Sequence, residues 1–320
     1  MDRKLNITQR QLEIFVSIAQ EGGFSRAGEG LGLSQSAMSR SIQELEAQLG
    51  TLLFHRTTRA IDLSQQGADF VVIAKRILDD LKVAVDRIAV EPSGLSGSVK
   101  FAAGSALCSG LLEQTSAAFL KSHPSVKLQL VEANSIEIVK MVQRGEVDFG
   151  IATLVADTVG TEYVKILDAP IGVLFNPNKF SISESPTARQ LQELSFVKEV
   201  DDNGMINLLR ERQIDKPELP RVTLEVSSLS TQIACIRSGL AVGVMSAIAA
   251  GHPFAADLKF AVLRPASHRS LYLFRRKERF VPAQASTFIR EFVHQFDLWK
   301  SSFAVKKTAT SSLRAYLNEK

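Results

Sequence analysis

The sequence predicts a chain of two folded parts joined by one long helix: a small helical domain closed by a short hairpin, and a larger α/β domain of two lobes. Three observations predict it. Three helical patterns and a hairpin pattern occupy residues 7–63, one amphipathic pattern runs over 64–91, and strands alternate with helices over 99–300. At 320 residues the chain is long enough for two or three such units.

Composition narrows the class. Hydrophobic residues make up 45% and charged residues 22%, the range of a cored globular protein. Two cysteines, Cys108 and Cys235, are too few for a disulfide scaffold. The stretch Met1–Arg10 is polar and lacks an apolar signal core. No uncharged apolar run reaches the roughly 18–20 residues that span a bilayer. The apolar stretch Leu240–Ala250 is about half that length and reads as buried core. The expectation is a cytoplasmic protein with no membrane partner.

The formal net charge of +4 is a mild basic bias, compatible with a nucleic-acid partner. The first sixty residues carry Arg3, Lys4, Arg10, Arg26, Arg40, Arg56 and Arg59, but also Glu13, Glu21, Glu29, Glu44 and Glu46. A DNA-facing surface must therefore come from sorting acids and bases onto different sides.

That sorting is visible between Phe24 and Leu49. A helix carrying Ala27 and Leu31 gives way to Gly32-Leu33-Ser34, and Ser34 is placed to cap a second helix. Met38, Ile42, Leu45 and Leu49 repeat at helical spacing and face inward. Gln35, Ser36, Ser39, Arg40 and Gln43 fall on the other face, without a carboxylate among them, while Glu44 and Glu46 lie off that stripe. A duplex repels carboxylates, and Gln and Arg can bond base edges in the major groove. By itself the pattern also fits an ordinary amphipathic surface helix. The hairpin that follows favours DNA. Residues 52–56 and 60–63 can pair around Thr57-Thr58-Arg59, presenting His55, Arg56, Thr58 and Arg59 to phosphates or a minor groove, as a wing does.

The segment Leu12–Gly67 resembles the N-terminal domain of the LysR-type transcriptional regulators. The residues that carry the resemblance are Leu12-x-x-Phe15, Phe24-Ser25-x-Ala27, Leu31-x-Leu33-Ser34-Gln35-Ser36-Ala37-Met38-Ser39, Ile42-x-x-Leu45-Glu46-x-x-Leu49-Gly50, Leu53-Phe54-x-Arg56 and Leu63-Ser64-x-x-Gly67. Weaker similarity extends to about residue 297. The resemblance implies a winged helix-turn-helix over 1–63, a dimerising linker helix over 64–91 and a hinge over 92–98. It further implies a two-lobed α/β regulatory domain over 99–300, of the periplasmic-binding-protein kind, and leaves a basic tail over 301–320. Two departures stand out. Gly28 replaces the family's second Ala, with Gly30 close behind, and a helical Gly costs about 1 kcal/mol relative to Ala, so this helix is expected to be less rigid. Ser36 replaces the family's common Pro.

In the linker, Phe70, Ala74, Ile77, Leu81, Ala84 and Ile88 alternate at steps of four and three. The pattern fits either a coiled-coil seam or packing on the chain's own body. The resemblance implies pairing with a second copy, giving a homodimer on two half-sites and, by extension, a homotetramer.

In the larger domain, strands are expected at 99–103, 126–131, 147–151, 170–175, 195–200, 222–226 and 240–245. Helices are expected near 107–122, 136–143 and 229–238. This alternation predicts a parallel sheet with right-handed crossovers. A ligand would sit beyond the carboxyl ends of the strands, between the lobes. Gly104-Ser105-Ala106 ends the first strand and opens a helix, and Asn134-Ser135 does so after the second. Amides at a helix start beside a hydroxyl suit an anion, although each residue alone also reads as a simple cap. The resemblance adds that Ser105, Ser135, Thr153 and Asn203 match positions lining the effector cleft of similar regulators. It implies a small-molecule effector, with an organic anion as the family-weighted expectation, promoter DNA as partner, and RNA polymerase if the protein activates.

No carboxylate pair, nucleophile elbow or metal spacing appears, so no catalytic residue, metal or cofactor is expected. His55, His123, His252, His268 and His294 are scattered. Cys108 reads as a buried structural thiol rather than a reactive one. The alternative reading is a solute-binding protein, because residues 99–300 have that two-lobed pattern; the polar start and the attached winged helix argue against it.

Overall fold

The computed structural model of the chain describes residues 6–56, 61–88, 95–200, 221–277, 281–300, 303, 305–308, 313 and 315. Thr58, Arg59 and Asn203 lie outside the described residues, as do residues 89–94 and the side chains of Arg56 and Ile88. The chain divides into two compact units, 1–92 and 93–320.

The first unit begins with α1 (Gln9–Glu21), fixed by a reciprocal cap: the Thr8 hydroxyl accepts from the Gln11 amide at 3.2 Å, and the Gln11 side chain accepts from the Thr8 amide at 3.0 Å. It stops at Gly22, whose φ of 65° suits glycine. Helices α2 (Phe24–Leu31) and α3 (Gln35–Leu49) follow, the second capped by Ser34, which accepts from the Ala37 amide at 3.3 Å. Strands β1 (Phe54–Arg56) and β2 (Ile61–Leu63) pair antiparallel, Phe54 opposite Leu63, as the expected wing hairpin. Phe15, Ile18, Met38, Ile42, Leu45, Leu53 and Phe54 share one buried core, each such side chain contributing about 1.5–3 kcal/mol on leaving water.

Helix α4 (Gln65–Ile88) divides the expected seam into two stripes. Ala74 is buried in the first unit's core, with Phe70, Val71 and Leu78 packed beside it. Phe70 and Ala74 are thus spent on the chain's own body, and Phe70 lies 5.5 Å from Phe15, ring to ring. Ile73, Ile77, Leu81 and Val85 remain on the outer side, 40–55% exposed.

The second unit is built on one eight-stranded sheet: six of its strands follow the order β10-β6-β11-β5-β3-β4, and two further short strands pair with β6 off that path. These strands are β3 (Gly97–Ala103), β4 (Val126–Glu132), β5 (Phe149–Ala152), β6 (Thr161–Phe175), β10 (Lys259–Val262) and β11 (His268–Arg276). Strand β3 pairs parallel with both β4 and β5, as the alternation predicts. The rest of the sheet corrects the expected parallel arrangement: β6 and β11 run antiparallel to each other, and β11 antiparallel to β5. The cause is that β6 is not a local strand at 170–175. Its fifteen residues cross from one lobe to the other, pairing with β11 over Thr161–Pro170 and then with β9 (Gly243–Ser246) and β10 from Ile171 onward. A separate parallel pair, β7 (Ser195–Glu199) and β8 (Arg221–Val226), completes the second lobe.

Helix α6 (Glu113–Ser122) and helix α10 (Ala283–Leu298) cover one face of the first lobe, burying Phe101, Phe119, Phe149, Phe288 and Phe292 together. Helix α7 (Ser135–Arg144) covers the other through Ile138, Val139 and Val142. In the second lobe α8 (Leu229–Ser238) and the short α9 (Ala247–Ala250) pack Ile233, Ile236, Ala249 and Ala250 into a further core. The run 241–250 is buried throughout, as expected, while Leu240 is exposed.

The helix expected near 107–122 is broken. A three-residue turn, α5 (Ser105–Leu107), is followed by non-helical backbone at Ser109 (φ −97°, ψ 100°) and Gly110 (φ 129°, ψ −98°) before α6 begins. A φ of 129° is one that side chains with a Cβ rarely adopt, so Gly110 is required there. The Ser109-Gly110 pair was the sequence signal for this break.

Candidate functional site

Two polar surfaces stand out, one in each unit. The first is the outer face of α3. Gln35, Ser36, Arg40 and Gln43 are exposed and Ser39 half-buried, opposite the fully buried Met38, Ile42 and Leu45. Arg40 is 84% exposed and its guanidinium meets Glu44 one turn on, at 3.1 Å. Such an exposed i,i+4 pair is worth only about 0.3–0.5 kcal/mol, so Arg40 gives it up at little cost to bond a base or phosphate. His55 is exposed on the wing strand.

The face is held by buried polar groups beneath it. Glu46 is 6% exposed, and its carboxylate accepts from the amides of Leu53 at 2.8 Å and Phe54 at 3.3 Å, fixing the start of the wing to α3. Ser64 is buried; its hydroxyl donates to the Leu52 carbonyl at 2.7 Å and accepts from the Gly67 amide at 2.9 Å, capping α4. At Gly67 a Cβ would stand 2.0 Å from the Leu53 carbonyl oxygen, so α4 can press onto the wing only through a glycine. The Leu63-Ser64-x-x-Gly67 motif is a wing-to-helix junction. Gly28 is also a close contact: a Cβ there would lie 2.7 Å from the Leu33 carbonyl oxygen and 3.0 Å from Met38 Cε. It lets α2 close onto the turn and α3. Gly30 has nothing within 4 Å of its would-be Cβ. For Glu46 the legible signal was a carboxylate beside the Ile42–Leu45–Leu49 stripe, a few residues before the wing.

The second surface is a row of strand ends. Ala103 stands opposite both Glu132 and Ile151 across β3's two parallel neighbours. Ser105, Asn134 and Thr153 each lie two residues beyond these, so register brings three chain segments to one level. Ser135 accepts two hydrogen bonds from Thr153, from its amide at 3.1 Å and its hydroxyl at 2.8 Å. With both lone pairs engaged, the Ser135 proton is left to donate outward. Asn134 serves as a helix cap, accepting from the Glu137 amide at 3.0 Å. Ser105 and Ala106 are half-buried on α5, and Ala106 packs against the cores of both lobes. Because α5 is a single turn, the helix-dipole argument for an anion does not hold at Ser105; α7, with ten residues and the Asn134 cap, retains it.

Cys108 Sγ lies 3.5 Å from the Gly104 carbonyl, positioned to donate to it. Burial, helped by the nearby charge of Glu132, pushes its pKa up to about 12, so it stays a thiol at neutral pH. Burial likewise holds His252 below its ordinary pKa, against the opposing pull of Glu132. Among the described residues no group of three or more His, Cys, Asp or Glu is placed to hold a metal ion, and no helix is long and apolar enough to cross a membrane.

Both units match known families. The family described as "Bacterial regulatory helix-turn-helix protein, lysR family" matches residues 9–68, and "LysR substrate binding domain" matches 92–297. The chain is 28% identical to the uncharacterized HTH-type transcriptional regulator YfeR of Shigella flexneri over 276 residues, 86% of this chain and 90% of that one. It is 25% identical to the RuBisCO operon transcriptional regulator of Allochromatium vinosum over 298 residues, 90% and 96% of the two chains. In fold it is similar to a full-length OxyR variant from Pseudomonas aeruginosa, with TM-score 0.70, 22% identity and coverage of 92% and 96%. It is also similar to full-length CbnR complexed with its target DNA, with TM-score 0.63, 23% identity and coverage of 91% and 99%. The chain belongs to the LysR family: it is a DNA-binding transcriptional regulator with an effector-binding domain.

Proposed function

We propose that this regulator reads promoter DNA with the exposed face of α3, and that a small organic anion bound at the strand ends, between the lobes, adjusts its DNA binding or its activation of transcription. Gln35, Ser36, Ser39, Arg40 and Gln43 contact base edges, and His55, Arg56, Thr58 and Arg59 hold the sugar–phosphate backbone. The observation that carries this reading is the exposed α3 face, free of carboxylates except Glu44 at its rim and backed by a fully buried stripe. Ser105, Ala106, Asn134, Ser135, Thr153 and Asn203 form the effector site. The outward-donating Ser135 hydroxyl and the α7 amides favour an acceptor ligand, which a carboxylate satisfies.

The exposed stripe Ile73–Ile77–Leu81–Val85 is covered by the same helix of a second copy, giving a homodimer on two half-sites, and two dimers form a tetramer. The protein works in the cytoplasm, without catalysis or a cofactor, and as an activator it contacts RNA polymerase. Fluorescence anisotropy on promoter DNA across salt concentrations tests the proposal. Each phosphate contact contributes about 0.9 to the slope of log K against log salt. A steep slope with preference for promoter over random DNA supports the reading; salt-independent or undetectable binding contradicts it.

A further inference from the structure

The family match ends at residue 297, yet the chain continues to 320, and Phe303, Val305 and Leu313 of that extension pack on the domain. Lys306–Lys307 (β12) pairs antiparallel with β6, Lys306 opposite Asp168 and Lys307 opposite Leu167, and the Thr308 amide donates to the Ile166 carbonyl at 2.7 Å. This is the last stretch of β6 before it passes into the second lobe at Ile171. Val305 packs on the first lobe's core, and Leu313 is buried in it at 2% exposure. Phe303 packs against the core built mainly from the first lobe, which Ala247 and Ile248 of the second lobe also enter, and against one core of the second lobe, and meets Phe260 of β10, a second-lobe strand, with ring centroids 4.8 Å apart.

Lys307 anchors the arrangement. Its ammonium donates to the carbonyls of Phe296 at 2.6 Å, Asp297 at 3.2 Å and Trp299, and lies over the rings of Phe296 (5.1 Å) and Trp299 (5.7 Å). A cation at this end of α10 satisfies carbonyls that have no intrahelical partner and complements the helix dipole. The extension is therefore attached at three places: the crossing strand, the first lobe, and through Phe303 the second lobe.

We infer that the segment carrying Phe303, Val305, Lys306–Thr308 and Leu313 is a built-in strut that holds the two lobes at a fixed angle. Any rearrangement of the lobes has to work against it, so it sets how readily the sensing domain responds. A lobe shift that moves β10 relative to β12 separates the Phe303–Phe260 pair or strains the pairing with β6. The inference rests on the two-lobed reading of the sensing domain but not on the identity, or even the binding, of an effector, and its test uses none.

The test is amide hydrogen exchange, read by mass spectrometry on the full-length chain and on Phe303→Ala. The strut predicts exchange at least tenfold faster in residues 166–171 and 259–262, with β3 and β4 near their parent rates. Unchanged exchange in the crossing segment overturns the inference. So does a rise by one common factor in every strand, which is a loss of overall stability alone. If Phe303→Ala does not fold, Lys307→Met decides, because it removes the α10 anchor and leaves Phe303 and Val305 in place. Faster exchange confined to 166–171 supports the strut, and parent-like exchange there overturns it.

Discussion

The DNA-reading unit and the sensing unit place polar groups in different ways. In the first, the scaffold and the proposed reader are separate residues: buried Glu46 ties the wing to α3 and buried Ser64 ties it to α4, while Arg40 and Gln43, the proposed readers, are exposed. In the second, the scaffold residues and the proposed lining coincide. Ser135 and Thr153 bond each other to lock the ends of two elements and also face the proposed ligand. A reader that carries no structural duty can change specificity freely. A sensor whose lining is part of its scaffold couples occupancy to geometry, which a switch requires, since a ligand shifts only those states it binds differently.

The sharpest break of this comparison lies on α4, where the two duties divide by stripe. Leu81→Glu places a carboxylate on the outer stripe, which costs several kcal/mol if that stripe is buried in a dimer. The expected result in sedimentation is a folded monomer. A fully dimeric Leu81→Glu protein assigns the stripe to another partner.

Next in size is the scaffold of the reader. Glu46→Ala leaves the buried amides of Leu53 and Phe54 without their acceptor, at about 1–3 kcal/mol for each unsatisfied group. Neighbouring Glu44→Ala, whose pair with Arg40 is exposed, changes the melting midpoint by far less. Equal losses at the two sites would erase the distinction between scaffold and reader.

Ser135→Ala tests fusion in the sensor. It should weaken effector binding by about 1.5–3 kcal/mol, the value of a hydrogen bond to a charged group, and lower the domain's stability by about 1 kcal/mol, while basal DNA affinity stays near normal. Calorimetry with the identified effector and a melting curve read the two losses. Loss of only one separates the duties after all.

The smallest effect has opposite signs at two glycines. Gly30→Ala meets no neighbour and should stabilise the first unit by up to about 1 kcal/mol. Gly28→Ala meets the Leu33 carbonyl and should destabilise it, as read by urea midpoints. Stabilisation at both positions would return Gly28 to a mere departure from good helix composition.

The same comparison explains what the sequence made legible. The α3 face and its backing stripe lie within fifteen consecutive residues, so helical periodicity alone displays both. The anchoring role of Glu46 is not marked in the sequence, because its partners are the backbone amides of Leu53 and Phe54. In the sensor, Ser105, Asn134 and Thr153 come together by register, so their strand-end positions were legible but the Ser135–Thr153 bonds were not. The 161–169 half of β6 is not marked in the sequence, because a strand shared by two lobes shows no single alternating pattern: along β6 a largely half-buried end gives way to seven consecutive buried residues, Ala169–Phe175. The two stripes of α4 overlap in sequence, so their spacing alone shows a single seam.

The central claim is that α3 reads bases through residues the fold does not need. Selection of bound sites from random duplex DNA, run with the parent chain and with Arg40→Ala, tests it most directly. The account predicts that the parent enriches an interrupted inverted repeat, and that Arg40→Ala, equally stable, relaxes one base pair in each half-site at a cost of roughly 1–3 kcal/mol. An Arg40→Ala chain that selects the same repeat with the same stringency contradicts it.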